Sequence, residues 1–378
     1  MRALQYDAYG SVDRLTLRDA PSPRPAAGPL VRVTVAALNP KDALFRKGKF
    51  KVLSGRRFPK YCGVDFAGVV EAPMATCAPA TLCSARYRNG ATRAARSPSS
   101  SRRRATEVAR IPAGVAEADA VAVALVGLTA LQALRDVAHV GRGTSVLING
   151  ASGGVGTVAV QIARILDTRV TTVSSAATTA LCRSLGADET LDYTRLDEAL
   201  DGARFDVVLD LFGNLRFARA RAGLRRRGVF VSAVPTARRL VRELVTRFSL
   251  QQERLVIVKP NHADLTQLGA WLADGQLRAV IDSRFDALRL PCGFPKARIE
   301  AYSRQDRDRS RRQGSLGPAI SNKIANKIYR LPRNYVYVRF GSKADIRVAK
   351  SHVRSPKADI CPTRGPGLRC CLRSRQSE

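Results

Sequence analysis

The stretch Val146–Gly156, VLINGASGGVG, sets four glycines behind an apolar run and directly ahead of Thr157–Leu166, TVAVQIARIL. Ser145–Ile148 has the extended-favouring, mostly branched residues of a buried parallel strand, and Thr157–Leu166 carries apolar residues at helical spacing. The glycines therefore lie at a strand-to-helix turn. Bare backbone there lets a ligand approach closely, and the following helix turns its free N–H groups and positive dipole end toward that ligand. Pyrophosphate is the natural guest. Gly150, Gly153 and Gly156 are spaced G-x-x-G-x-x-G, one residue away from the G-x-G-x-x-G of many dinucleotide-binding folds. The competing reading is a tight turn that only lets helix and strand pack closely.

The downstream pattern favours the ligand-binding reading. Thr168–Val173 (TRVTTV) predicts a second strand, TALCRSLGAD a second helix ending at Gly186, and ETLDY a third short strand. Phe205–Gly213 (FDVVLDLFG) and Arg227–Val234 (RGVFVSAV) add two more apolar runs, each closed by small or polar residues. Strands alternating with helices imply a parallel sheet with right-handed crossovers, hence an α/β doubly wound fold with its ligand at the carboxyl ends of the strands.

NGASGGVGTVAVQIA and SLGADETLDY, with ALNPKDALFRKG, GVDFAGVVEA and GLTALQAL upstream and VKPNHADLTQLGAWLADGQLRAVID downstream, resemble the zinc-free branch of the medium-chain dehydrogenase/reductases. Within it the chain is most similar to quinone oxidoreductases and the reticulon-4-interacting type of NADPH reductase. The resemblance covers about residues 1–72 and 107–290. It implies a GroES-like, partly open β-barrel catalytic domain made from both ends of the matched region, with a Rossmann domain inserted between them. The implied layout is a catalytic domain over 1–120, a cofactor domain over 121–258, a return to the catalytic domain over 259–290, and a basic tail over 291–378.

The chain's 378 residues suit two domains. No run of 18 apolar residues occurs, and MRALQYDAYG starts like a strand rather than a signal peptide, so a soluble cytoplasmic chain is expected. The eight cysteines follow no framework spacing and read as free thiols. A net charge of +33 would ordinarily point to nucleic acid. Yet Ala72–Thr106 holds seven Arg and no acid, and Pro291–Glu378 holds 21 Lys or Arg against six acids, so these two segments carry two thirds of the net charge. Both lack the family pattern, and the first has no strand or helix period from which to build a barrel strand. They read as out-of-frame or non-coding translation that leaves the barrel incomplete. NKIYRLPRNYVYVRFGSKADIRVAK interleaves aromatics with basic residues as single-strand binders do, which keeps a nucleic-acid-binding tail as an alternative; NYVYVRF equally suits one stray amphipathic strand.

Zinc-dependent relatives place a cysteine and a Gly-His-Glu at the metal; the matching positions here are Asn39 and GVD, with Val64 where the histidine would stand. Valine offers no lone pair, and His139, His262 and His352 have no ligand spacing, so a metal-free site is expected. A nicotinamide must then supply the hydride, to a quinone or an α,β-unsaturated carbonyl by resemblance. Asn39 is the candidate catalytic residue, able to hydrogen-bond cofactor or substrate, with capping ahead of Pro40 as its structural alternative. Asp42 and Arg46 read as a structural i,i+4 pair.

Gly150, Ser152, Gly153, Gly154, Val155 and Gly156 form the candidate phosphate turn. The second strand ends VSSAATT without the acid that selects NAD, so Ser174 and Ser175 are expected to donate to a 2′-phosphate, with Tyr193 approaching it by resemblance. NADPH is the expected cofactor, although the family's basic residue after the serines is replaced by Ala177 and Thr178. Thr129 in GLTA matches the family position that faces the nicotinamide. A cofactor-binding but catalytically impaired homologue is the second reading, and a homodimer is an expected assembly.

Overall fold

Leu4, Tyr6, Leu15 and Leu38 are buried together near the start of the chain, on strands β1 (Arg2–Tyr6), β2 (Leu15–Asp19) and β3 (Leu30–Leu38). The computed structural model describes residues 2–20, 30–63, 65–72, 83–86, 107–202, 204–285 and 335–337. Helices α1 (Pro40–Arg46) and α2 (Lys51–Ser54) follow, then β4 (Lys60–Tyr61), β5 (Asp65–Ala72), β6 (Cys83–Arg86) and β7 (Val108–Arg110). β2, β1 and β4 make a small antiparallel sheet, while β3, β5, β6 and β7 pair antiparallel in that order within a second sheet.

β6 corrects one expectation, because a strand does form inside the segment 72–106. Asp65 and Phe66 pair with Arg86 and Ala85 on one side, and Val108–Arg110 pairs on the other. Pairing is made by main-chain groups, so a short stretch without alternating polarity can be recruited where it bridges two open strand edges. The remainder of that segment, and Val64, lie outside the described residues.

α3 (Glu117–Leu131) continues through a π-helical turn at Gln132–Val137. At 21 residues it is long and apolar enough to cross a bilayer, yet 78% of its most apolar window is buried inside the protein. It is apolar all round because neighbours surround it: β5, and the later helices α4 and α9 given below.

The nucleotide fold then runs β8 (Ser145–Asn149), α4 (Gly154–Ile165), β9 (Arg169–Ser174), α5 (Thr179–Ser184), β10 (Glu189–Asp192), α6 (Leu196–Gly202), β11 (Phe205–Asp210), α7 (Phe217–Gly223), β12 (Leu224–Ser232), α8 (Ala237–Val245) and β13 (Gln252–Leu255). All six strands are parallel, in the order β10-β9-β8-β11-β12-β13. Val146 and Ile148 of the central strand join the hydrophobic cluster on one face, and Leu147 the cluster on the other. A strand covered on both faces needs the continuous apolar run that the sequence shows. The expected doubly wound Rossmann sheet is present, with a sixth strand, β13, that the pattern had not marked.

α9 (His262–Ala273) leads to β14 (Ser283–Phe285), and β15 (Tyr335–Tyr337) follows. β15 lies antiparallel to β14 and parallel to Ala36–Leu38 of β3, extending the second sheet to six strands in the order β14-β15-β3-β5-β6-β7. Among the described residues this sheet is not closed into a barrel. Three residues of the basic tail thus join the second sheet, as the amphipathic-strand reading of NYVYVRF allows; the rest of 291–378 lies outside the described residues.

α8 is inverted relative to an ordinary surface helix. Arg239 is nearly buried and Arg242 and Glu243 half-buried, whereas Leu240, Val241, Leu244 and Val245 are exposed. Phe248, just beyond, is 95% exposed. The polar side faces inward because Asp210 and Glu253, both buried, stand beneath it and meet Arg239 at 3.0 and 3.7 Å.

Candidate active site

The chain passes from β8 outward to β9 and β10, then crosses back to β11 on the other side of β8. The strand order reverses between β8 and β11, which opens a crevice at their carboxyl ends. The glycine turn sits there. Gly150 adopts φ +88°, a conformation open to glycine and strained for other residues. A side chain on Gly156 would stand 2.2 Å from the Gly150 carbonyl oxygen and 2.6 Å from Ala151, so only glycine lets the first turn of α4 approach β8 so closely. The competing reading of this turn, close packing of strand and helix, is thus real for Gly156.

The packing does not use up the helix start. Gly153 is the N-cap of α4, no side chain caps it, and its first turn holds no acid. The N–H groups of Gly154, Val155 and Gly156 therefore occupy the helix positions that lack intrahelical acceptors, next to the positive dipole end. Ser152 is half-buried in the same turn. Gly150 and Ala151 both donate to the Val173 carbonyl, which locks the turn to the end of β9.

The floor of the crevice is a polar network for which the sequence reading gave no role. Asn149 Nδ2 donates to Asp210 Oδ1 (3.0 Å) and to Asn214 Oδ1 (2.8 Å). Asp210 also accepts from Gly213 N (2.8 Å) and Arg239 Nη2 (3.0 Å), while Arg239 donates to Ser232 Oγ and to the Leu215 carbonyl (2.8 Å). Burial pushes the Asp210 carboxyl above its ordinary range despite these donors. The sequence did hold a signal for it: in FDVVLDLFG an acid closes an apolar strand at the ligand end, where a charge needs a partner.

At the outer side of the sheet, Ser174 is buried with its hydroxyl 3.4 Å from the Ser175 carbonyl, and Ser175 Oγ lies 3.2 Å from Thr178 Oγ1. Tyr193 is exposed, one residue past β10. Thr129 is buried on α3 and donates to the Leu125 carbonyl at 2.7 Å, so its hydroxyl proton is spent on its own helix.

Asn39 caps α1 and is buried. Its backbone N–H donates to Asp42 Oδ2 (2.8 Å), and its side-chain Nδ2 donates to the buried Asp65 Oδ2 (2.8 Å). With Nδ2 directed to a carboxylate, Oδ1 is the acceptor end of the amide. The expected Asp42–Arg46 pair is corrected. Asp42 accepts from the Asn39 and Gly63 amides, and Arg46 Nη1 donates to the Gly10 carbonyl (2.6 Å), because both side chains turn inward instead of lying along the helix surface. Burial raises Asp42 to about 6, against the two amides that hold it down. Among the described residues, no group of three or more His, Cys, Asp or Glu is placed to hold a metal ion.

A glycine turn and an uncapped helix start at the switch point of a parallel sheet, with Asn39 directly after β3 of a second, mixed sheet, define a doubly wound nucleotide fold joined to a second sheet. The family model described as zinc-binding dehydrogenase matches residues 185–291. A quinone oxidoreductase, QR1, of Triphysaria versicolor is 30% identical over 307 residues, covering 75% of this chain and 91% of that one. The trans-enoyl reductase pgmF of Aspergillus terreus is 33% identical over 322 residues, covering 75% and 88%. Among solved structures, the quinone oxidoreductase from Coxiella burnetii superposes with a TM-score of 0.67 at 23% identity, covering 89% of this chain and 99% of that one. A mycobacterial protein solved in complex with NADPH gives 0.57 at 25% identity, covering 73% and 88%. The chain belongs to the quinone oxidoreductases of the medium-chain dehydrogenase/reductase family. It is a hydride-transferring oxidoreductase of a nicotinamide-binding family.

Proposed function

We propose that this protein is a zinc-independent NADPH-dependent reductase of a quinone or an α,β-unsaturated carbonyl, acting in the cytoplasm. The observation that carries the reading is the uncapped, acid-free N-terminus of α4 at the switch-point crevice, the arrangement that receives a dinucleotide pyrophosphate. NADPH, when bound, supplies the hydride. Gly154, Val155 and Gly156 would hold its pyrophosphate through main-chain N–H groups. Ser174, Ser175 and Tyr193 would border its adenosine ribose at the ends of β9 and β10. Asn39 Oδ1, oriented by the Nδ2 bond to Asp65 and facing the Asp42 N–H in the capping box of α1, would have a second lone pair for a ribose or substrate hydroxyl. Asn39 is a neutral amide, outside the thiolate, imidazole and carboxylate groups that hold catalytic zinc, which supports chemistry without zinc. The purified full chain is expected to oxidise NADPH with quinones or 2-alkenals and to keep that activity after chelation. Stoichiometric zinc, or activity lost with the chelator and restored by zinc, would remove the zinc-independent part. NADPH binding without turnover on either substrate class would favour the impaired homologue.

The same reading includes a homodimer, and α8 supports it. Its exposed Leu240, Val241, Leu244 and Val245 lie beside β13, the outermost strand of the sheet, beyond which no further strand stands among the described residues. An apolar helix face next to an open strand edge is self-complementary across a two-fold axis, and a second copy would cover both. Leu244→Glu with Val245→Glu is expected to turn a sedimenting dimer into a monomer while leaving the fold intact, since neither side chain is buried in the single chain. A parent protein that already sediments as a monomer at micromolar concentration would end the dimer reading.

A further inference from the structure

The adenosine ribose in a doubly wound fold lies at the end of the second strand, and an acid there repels a 2′-phosphate. β9 itself ends at Ser174, and the turn from Ser175 through Thr179 carries no Lys, Arg or acid. The neighbouring strand supplies a carboxylate instead. Asp192, the last residue of β10, is the register partner of Ser174. It reaches across to the turn after β9, accepting the Ala176 N–H at 2.8 Å. It also accepts from Thr194 N (2.9 Å) and Thr194 Oγ1 (2.6 Å), and these donors hold it below the usual carboxylate range.

Two consequences meet at this point. A main-chain donor of the turn where a 2′-phosphate would sit is already engaged by Asp192. A negative charge also stands beside that position, while the nearby Arg195 is paired with Glu198 at 2.8 Å. Resting on the cofactor reading above, we propose that Asp192 is a specificity-determining residue of this site: it opposes the 2′-phosphate from the third strand and so narrows the preference for NADPH over NADH. Asp192 lies eighteen residues beyond Ser174 in the chain, and only the parallel register of β9 and β10 brings the two strand ends together.

The test uses the full chain and two probes without a nicotinamide, ADP-ribose and its 2′-phosphorylated form, measured by calorimetry. In Asp192→Asn the 2′-phosphorylated probe is expected to bind about fivefold tighter, the size of one screened repulsion at a few ångströms, with ADP-ribose unchanged within about twofold. Asp192→Ser, which keeps an oxygen acceptor for Ala176, is expected to act in the same direction. Raising the salt concentration should shrink the difference between parent and variants. If both probes shift together in both variants, Asp192 only braces the turn and the proposal is overturned; unchanged affinities for both overturn it equally. If the parent binds neither probe, the cofactor reading itself fails, which is a distinct result.

Discussion

Gly154→Asp is expected to weaken NADPH binding by at least about a hundredfold without unfolding the protein, because it sets a carboxylate in the place that a pyrophosphate needs. The two halves of that expectation have separate causes. Gly154 is the first residue of α4, so a carboxylate placed there brings a negative charge to the helix N-terminus where the pyrophosphate would sit. An acid in a helix's first turn is favourable to the helix itself, so the melting temperature should fall little even as the cofactor is lost. Fluorescence titration with NADPH reads the first half and thermal melting the second. Unchanged affinity would show that α4 does not receive the cofactor.

Arg239→Met is expected to destabilise the protein by about 3–5 kcal/mol, the loss typical when one member of a buried ion network is removed. Arg239 touches Asp210 and Glu253, both buried, and ties the end of β12 at Ser232 to the segment after β11 at Leu215. Without it the two carboxyls lose their closest cation. Burial already raises both above their ordinary values. A carboxyl whose folded value is raised binds more protons in the folded state, so its contribution is full at low pH and is lost as pH rises through the folded value. Removing Arg239 raises both further. Denaturant midpoints of the variant should therefore recover on going from pH 7 toward pH 5, more steeply than those of the parent. A variant as stable as the parent at pH 7 would mean that the network contributes nothing there.

The Rossmann half was legible in the sequence because each buried parallel strand needs an unbroken apolar run, and VLIN, RVTTVS and FDVVLD supply it. β13 was harder to read. Gln252–Leu255, QERL, holds two charged residues, and its inward acid is tolerated only because Arg239 and Arg242 come within 4.0 Å of it from another element. Such compensation is three-dimensional and leaves no periodic trace. β6 and β15 were missed as sheet members for a related reason: short strands recruited through main-chain pairing need little of their side chains. At the site, the glycine turn could be found from local spacing alone. The Asn149–Asp210–Arg239 floor joins the ends of three strands or helices far apart in the chain, and the Asn39–Asp65 bond spans 26 residues. The direction of Asn39's amide could not be read before that partner was known.

The order in which the two sheets become complete follows from where their strands come in the chain. Every strand of the parallel sheet lies between Ser145 and Leu255, joined by local crossovers, whereas β15, which sits against β3, is drawn from Tyr335–Tyr337. Local crossovers close at small entropic cost, but pairing β15 with β3 must span about three hundred residues of chain. On the ribosome, the parallel sheet is thus finished while the sheet that contains β3 still waits for its last strand. On the cofactor reading proposed above, a nascent chain would hold its cofactor before it could use it, and the bound cofactor would favour the folded half during that interval.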